Sequence, residues 1–230
     1  MKLSVIIPAY NEAKTIGEVL RRVFAVKLQA EREVIVVDDG STDNTEEAVR
    51  RSGLPVIYVR REHNGGKGAA VRKGIELSSG DIIIIQDADN EYDPEDYPCL
   101  IEPIISGKAN VVYGSRILRK SNEYSYRHFY WGGRLLSWWT NLLYGSHITD
   151  EPTGYKVFSS DVIKSIDLVS EGFDFCPEVT AKILKRRIKI TEVPISYAPR
   201  SIEEGKKIKW TDGVKALWVL FVLRFTRMMN

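Results

Sequence analysis

Short apolar runs rich in Val and Ile recur along the first part of the chain. They occupy residues 3–8, 33–38, 55–60 and 81–87. Each run is continuously apolar rather than alternating between apolar and polar, which is typical of strands buried on both faces of a parallel sheet.

Helical patterns separate these runs. Apolar residues recur at helical spacing over residues 12–26, 43–51 and 67–78, and a further helix is predicted to start at Pro94 with a strand after it at 110–115. This alternation of strand and helix predicts an α/β fold, with a Rossmann-like, mostly parallel sheet flanked by helices.

The pattern changes over residues 116–150, where Tyr, Trp and Phe are crowded among Arg and Lys. This composition is typical of an element that lies in a membrane interface. It is equally typical of a helix that packs under the sheet and satisfies its indole N–H groups internally. The pattern leaves both interpretations open.

Composition narrows the class of protein. The chain has 230 residues, enough for one sizeable core, and its two cysteines form neither a disulfide framework nor a zinc motif, which suits the cytoplasm. The apolar runs at the N-terminus and at 216–223 are too short for a signal peptide or a membrane span. We therefore expect no secretion by that route and no crossing of a membrane.

Charge is distributed unevenly. Residues 182–230 contain 12 basic and 4 acidic residues, a net charge of +8, against 21 and 27, a net charge of −6, for residues 1–181. A basic end on an acidic body suits a phosphate-bearing ligand, anionic lipid or nucleic acid, although a solvated helix face gives the same pattern.

Carboxylates cluster where three predicted strands end. Glu12 follows the first strand, Asp38 and Asp39 end the second, and Asp87 and Asp89 end the fourth. Parallel strands bind ligands at their carboxyl ends, so these side chains should share one rim. Asp87 and Asp89 are two carboxylates one residue apart, so both can bind the same Mg²⁺ or Mn²⁺ ion and leave its other positions open for phosphate oxygens.

The glycine segment 64–68 lacks the spacing of a nucleotide phosphate loop, and no dinucleotide fingerprint follows the first strand. Kinase-like and dehydrogenase functions are therefore disfavoured. The segment either approaches a nucleotide closely or forms a simple turn.

The ordered motifs VIIPAYNEA, VVDDGSTDNT, NGGKGAA, QDADNEYDP, GSR and EPTGYKVFS resemble those of family-two glycosyltransferases with the GT-A fold. The similarity is greatest to the dolichol-phosphate mannose synthase branch and runs from residue 3 to about 210. It implies a glycosyltransferase domain at 1–210, with an acceptor-side insertion at 116–150, and a C-terminal amphipathic helix at 211–230.

The resemblance also implies roles for individual residues. The metal ligands would be Asp87 and Asp89. The donor-binding residues would be Pro8, Tyr10, Glu12, Asp38, Asp39, Lys67, Asp87, Ala88 and Lys206. The catalytic residues would be Asp89, Arg116, Arg134, Asp150 and Arg200, and the acceptor would contact Ser137 and Lys207.

The implied reaction is a metal-dependent, inverting transfer of a hexose from a UDP- or GDP-sugar to a polyprenyl phosphate, at the cytoplasmic face of the membrane and without nucleic acid. A phosphate acceptor is already anionic and needs no strong base, so we expect His63, His128 and His147 to be structural or surface residues. If the acceptor were an alcohol, Asp150 would be the candidate base, with a turn cap as its alternative role.

Other functions stay open. The same donor chemistry could serve a soluble, protein or glycan acceptor, or the protein could bind a nucleotide sugar without turnover. A nucleotidyltransferase is disfavoured because PAYNEA lacks that class's glycine-rich signature. A processive polymerase is disfavoured because the Q-x-x-R-W motif is missing.

Overall fold

The computed structural model describes residues 1–122, 126–200, 207 and 210–226. Across these residues the chain forms a central sheet of seven strands in the order β3-β2-β1-β4-β6-β5-β7. The strands are β1 (Lys2–Ala9), β2 (Glu31–Asp38), β3 (Ile57–Arg60), β4 (Ile82–Ile85), β5 (Val111–Ser115), β6 (Lys156–Ser159) and β7 (Ile190–Pro194).

The first four strands are parallel, and β1 lies between β2 and β4. Val5 is in register with Val34 on one side and with Ile84 on the other. Strand β6 runs antiparallel to both β4 and β5, whereas β7 is parallel to β5. The predicted α/β class with a mostly parallel sheet is confirmed, and the carboxyl ends of β1, β2 and β4 meet at one edge.

The helices cover both faces of the sheet. They are α1 (Ile16–Ala25), α2 (Thr45–Arg51), α3 (Lys67–Leu77), α4 (Tyr97–Ile105), α5 (Arg127–Tyr144), α6 (Ser160–Lys164), α7 (Phe175–Lys185) and α8 (Trp210–Phe225). Helices α1, α2 and α4 share a core with one face of the sheet, and α3, α6 and α7 share a core with the other.

Helices α5 and α8 form an additional outer layer. Leu136 of α5 and Leu220 of α8 pack with Ala181 of α7 in a small core separate from those of the sheet. Both helices pack against α7 outside the two cores of the sheet, and each keeps a second face away from this small core.

Several bounds differ from those predicted. Strands β6 and β7 were not predicted, and α1 begins at Ile16 rather than at residue 12. The backbone N–H groups of Asn11 and Glu12 instead donate to Ser41 Oγ and Thr45 Oγ1, both at 2.9 Å. These hydrogen bonds hold the segment after β1 as a loop against the segment after β2.

Candidate functional site

A cavity of about 1030 Å³ lies at the carboxyl ends of β1, β2 and β4 and extends between α5 and α8. Eleven of the residues predicted for the site line it. They are Pro8, Tyr10, Glu12, Asp39, Lys67, Asp87, Ala88, Asp89, Arg116, Arg200 and Lys207. The fold thus gathers the strand-end carboxylates and several basic residues around one space.

Asp87 and Asp89 each carry a basic partner. Lys67 Nζ lies 2.5 Å from Asp87 Oδ1, and Arg200 Nη2 lies 2.8 Å from Asp89 Oδ2. Burial, followed by the charges of Asp87 and Glu91, raises the pKa of Asp89 to about 7 even though Arg200 opposes this change. Burial is therefore the main cause of the raised pKa of Asp89, and the two neighbouring carboxylates add to it.

The chemistry of this pair fits a divalent cation. Both side chains offer hard oxygen donors to the cavity, as Mg²⁺ and Mn²⁺ require. Among the described residues no group of three or more His, Cys, Asp or Glu side chains forms a metal site. Asp87 and Asp89 could hold a cation together with oxygens supplied by a bound ligand and water.

Asp39 connects the glycine turn to the end of β2. The backbone N–H groups of Gly65 and Gly66 donate to its carboxylate at 3.1 and 2.6 Å, and Arg61 donates from its guanidinium. Gly66 has φ +94°, and a Cβ there would meet the Glu171 carbonyl oxygen at 2.6 Å. Only glycine therefore fits this turn, which brings the backbone to the cavity wall.

Basic residues late in the chain fold back over the first loop. Lys207 Nζ lies 2.6 Å from Glu12 Oε1 and also donates to the Tyr10 carbonyl, while Arg200 Nη1 lies 3.4 Å from Glu12 Oε2. Both cations line the cavity, where an anionic ligand could replace the carboxylates as their hydrogen-bond partner. Lys206 lies outside the described residues.

Arg116 and Asp150 form a buried ion pair. Arg116 Nε and Nη2 donate to the two carboxylate oxygens of Asp150 at 2.8 and 2.7 Å, and the Arg116 backbone N–H adds a third hydrogen bond at 2.8 Å. Arg116 lines the cavity, whereas Asp150 lies behind it. Asp150 thereby fixes the position of the arginine.

The structure places three other predicted residues outside the cavity lining. Asp38 accepts hydrogen bonds from Ser41 N and Tyr58 Oη at 2.7 and 2.6 Å. Arg134 donates to the Thr149 carbonyl at 3.3 Å, and Ser137 Oγ accepts from the Glu151 backbone N–H at 2.9 Å. All three hold loops that border the site, and their predicted contacts with substrate remain predictions.

Sequence reasoning missed several residues that line the cavity. Glu91 and Tyr92 lie two and three positions after Asp89, and Glu91 accepts hydrogen bonds from Arg200 N at 2.9 Å and Tyr197 Oη at 3.1 Å. Their position next to Asp89 was the available signal. Further missed residues include His128, Glu151, Cys176, Tyr197 and Trp210, which tertiary packing brings to the cavity.

The outer faces of α5 and α8 expose large apolar side chains. Trp138 is 58% exposed and Trp218 is 64% exposed, yet Trp139 is turned inward and donates its indole N–H to the Leu217 carbonyl at 3.2 Å. The indole of Trp139 is thus satisfied internally, whereas contact of the exposed face of α5 with a membrane stays a prediction. Within the described part of the chain, no helix is both long and apolar enough to cross a bilayer.

The fold and the site together define a GT-A protein with an acidic, strand-end cavity. Residues 4–166 match the family described as glycosyl transferase family 2. The chain belongs to this family, and it is a glycosyltransferase.

Similar proteins include enzymes named for polyprenyl acceptors. The chain is 32% identical to a dolichol-phosphate mannosyltransferase of Pyrococcus furiosus, over 90% of this chain and 59% of that protein. It is 30% identical to a UDP-N-acetylglucosamine–dolichyl-phosphate N-acetylglucosaminyltransferase of Methanococcus voltae, over 98% of this chain and 97% of that protein. The chain thus spans only part of some relatives and nearly all of others.

A solved structure shares the fold at lower sequence identity. Glucosyl-3-phosphoglycerate synthase from Mycobacterium tuberculosis, in complex with Mn²⁺, UDP and phosphoglyceric acid, superposes with a TM-score of 0.75 at 22% identity. The match covers 99% of this chain and 80% of that one.

Proposed function

We propose that this protein transfers a hexose from a UDP- or GDP-sugar to a polyprenyl phosphate, with Mg²⁺ or Mn²⁺ bound and with inversion at the anomeric carbon. One observation carries the proposal. A single cavity joins the Asp87 and Asp89 carboxylates, with their neighbouring cations, to an apolar slot between α5 and α8. The names of the relatives, which act on dolichyl phosphates, support the same reaction.

On the donor side, Asp87 and Asp89 would hold the cation. A divalent cation supplies charge neutralisation for the departing nucleoside diphosphate. Lys67, Arg200 and Lys207 now lie on carboxylates of the same cavity, so a bound diphosphate could accept their hydrogen bonds. Such charge-assisted contacts stabilise the negative charge that develops on the leaving group.

On the acceptor side, the proposed reaction needs no base, because a phosphate oxygen is anionic at neutral pH. A single in-line displacement then gives a β-linked product from an α-linked donor. Both carboxylate oxygens of Asp150 accept hydrogen bonds from Arg116, so we assign Asp150 to positioning Arg116 for an anionic group. Arg134 and Ser137 would act through the neighbouring segment 149–151.

The exposed faces of α5 and α8 would bind the membrane surface peripherally, on its cytoplasmic side. Trp131, Trp138, Trp218 and Phe225 are all more than half exposed. Such aromatic side chains beside basic residues favour the interface between headgroups and acyl chains. A long lipid could then stay in the bilayer while its phosphate enters the cavity.

A soluble, phosphate-bearing acceptor is the second candidate. The structural neighbour was crystallised with phosphoglyceric acid, and its fold closely matches that of this chain. An assay of nucleoside diphosphate release separates the candidates when polyprenyl phosphate in vesicles is compared with 3-phosphoglycerate without lipid. We expect release only with the lipid. Release only with the soluble acceptor would favour the second candidate, and donor binding without release would indicate a non-catalytic protein.

A further inference from the structure

Glu151 is a buried carboxylate at the cavity with no role in the reaction described above. Its side chain is fully buried, and the residue lines the cavity. Its main chain is held from two sides, because its N–H donates to Ser137 Oγ at 2.9 Å and its carbonyl accepts from Lys156 Nζ at 2.7 Å. The position of Glu151 is therefore fixed before any ligand binds.

The carboxylate itself is only half satisfied. Oε1 accepts a hydrogen bond from Thr180 Oγ1 at 3.1 Å, whereas Oε2 is buried and has no hydrogen-bond partner among the described residues. Leaving a buried acceptor unpaired is costly, and more so when the group is charged. An unpaired oxygen at a cavity therefore suggests a ligand that donates a hydrogen bond.

A second buried glutamate shows how this chain treats a purely structural carboxylate. Glu178 on α7 does not line the cavity, and both of its oxygens are paired. They accept hydrogen bonds from Val169 N, Ser170 N and Lys182 Nζ at 2.6–2.9 Å. The missing partner at Glu151 is thus not a general feature of buried glutamates in this protein.

Glu151 lies near the end of the cavity that holds the metal motif. Gly154, three residues after Glu151, approaches Asp87 so closely that a Cβ at Gly154 would clash with Asp87 Oδ2. Glu151 and Gly154 both line the same cavity as Asp87. A group attached to a diphosphate bound near Asp87 would extend into this part of the cavity.

We propose that Glu151 binds the sugar of the nucleotide sugar, with Oε2 accepting a hydrogen bond from a sugar hydroxyl. The inference rests on the proposed function and adds the residue that recognises the transferred group. A phosphate would be repelled by this carboxylate, and a lipid chain offers no hydrogen-bond donor. A hexose offers several hydroxyl donors on a compact ring, and a hydrogen-bond donor is what the unpaired Oε2 of Glu151 lacks.

The test compares nucleoside diphosphates with nucleotide hexoses by isothermal titration calorimetry in Mn²⁺. The measured quantity is the ratio of the Kd for UDP or GDP to the Kd for the matching UDP- or GDP-hexose. A hydrogen bond to a charged group predicts that Glu151→Ala lowers this ratio about 10- to 100-fold, with the Kd of the diphosphate unchanged. Glu151→Gln, which keeps the shape and a neutral acceptor, should give a smaller loss.

Glu178→Gln is the matched control, and it should lower the Tm without changing the ratio. If the Glu151 variants alter both affinities equally, or alter only the Tm, Glu151 is structural or its oxygen meets only water, and the inference is wrong. If the unsubstituted protein binds no nucleotide hexose, the proposed function fails and this inference fails with it. If the unsubstituted protein binds the nucleotide hexose and both Glu151→Gln and Glu151→Ala keep its ratio of Kd values, this inference alone is wrong and the proposed function stands.

Discussion

Replacing Arg116 with alanine should destabilise the protein far more than removing an exposed arginine. The Arg116 and Asp150 side chains are only 17% and 3% exposed, and the pair shares two side-chain hydrogen bonds. Removing one partner leaves the Asp150 carboxylate buried without its countercharge. Breaking a buried pair in this way costs about 3–5 kcal/mol.

For a chain of this length, that loss corresponds to a decrease in Tm of about 6–20 °C. Urea titration followed by tryptophan fluorescence would measure the free energy of unfolding directly. The control is Arg50→Ala, because Arg50 and Glu46 form an exposed pair on α2 with side chains 72% and 32% exposed. We expect that substitution to cost less than about 1 kcal/mol.

A double-mutant cycle then measures the interaction energy between Arg116 and Asp150, apart from what each residue contributes alone. The variant with both Arg116→Leu and Asp150→Leu should be clearly more stable than the sum of the two single losses predicts, because no charge is left buried alone. A loss below about 1 kcal/mol for Arg116→Ala, or a coupling energy near zero, would refute the assignment of Asp150 as the partner that positions Arg116.

Further predictions follow from the other contacts. Asp89→Ala should abolish transfer at saturating Mg²⁺ or Mn²⁺ without lowering the Tm, since it removes a proposed metal ligand and relieves carboxylate repulsion; retained turnover would contradict the metal assignment. Arg200→Ala should depress turnover and Arg200→Lys should restore it only in part, because lysine cannot make a bidentate contact; full activity of the lysine variant would contradict this. Co-sedimentation with anionic vesicles should weaken as the salt concentration rises, and replacing Trp138 and Trp218 by serine should weaken it further. Vesicle binding that neither change affects would exclude α5 and α8 as the membrane face. Burial alone would raise the pKa of Glu33, but hydrogen bonds from Lys2, Ser4 and Ser79 outweigh it and lower this pKa from 4.5 to about 2. Because Glu33 is partly solvated, this lowered pKa contributes on the order of 1 kcal/mol of stability above pH 4.5, and the contribution declines as the pH falls from 4.5 toward 2. The difference in unfolding free energy between Glu33→Gln and the unsubstituted protein, measured by urea titration, should therefore narrow between pH 7 and pH 3; a constant difference would contradict the assignment.

The sequence predicts the parallel half of the sheet well, because strands such as β1 and β4 are short, continuous runs of Val and Ile between helical patterns. Strand β6 was missed for a physical reason. It has four residues, begins with the buried Lys156 and runs antiparallel between β4 and β5. Such a strand depends on the partners on either side of it, which no local pattern reveals.

The candidate site divides in the same way. Residues such as Asp87 and Asp89 could be predicted because the end of a parallel strand determines where the next side chains lie. Glu151 and His128 could not, because each reaches the cavity through the packing of α5 and the segment after it against the sheet. The structure also separates Trp138, which is exposed, from its neighbour Trp139, whose indole donates to α8. Composition alone could not distinguish them.

The most direct test of the proposed function is the product itself. The protein would be incubated with α-linked UDP- and GDP-hexoses, Mg²⁺ or Mn²⁺ and a short-chain polyprenyl phosphate in anionic vesicles, and the lipid fraction would be analysed by mass spectrometry and by NMR of the anomeric centre. We expect a polyprenyl phosphate carrying one hexose in β linkage, formed only with the divalent cation and absent with Asp89→Ala. A water-soluble glycoside as the sole product, an α-linked lipid product, or equal yield after chelation of the cation would contradict the proposed reaction.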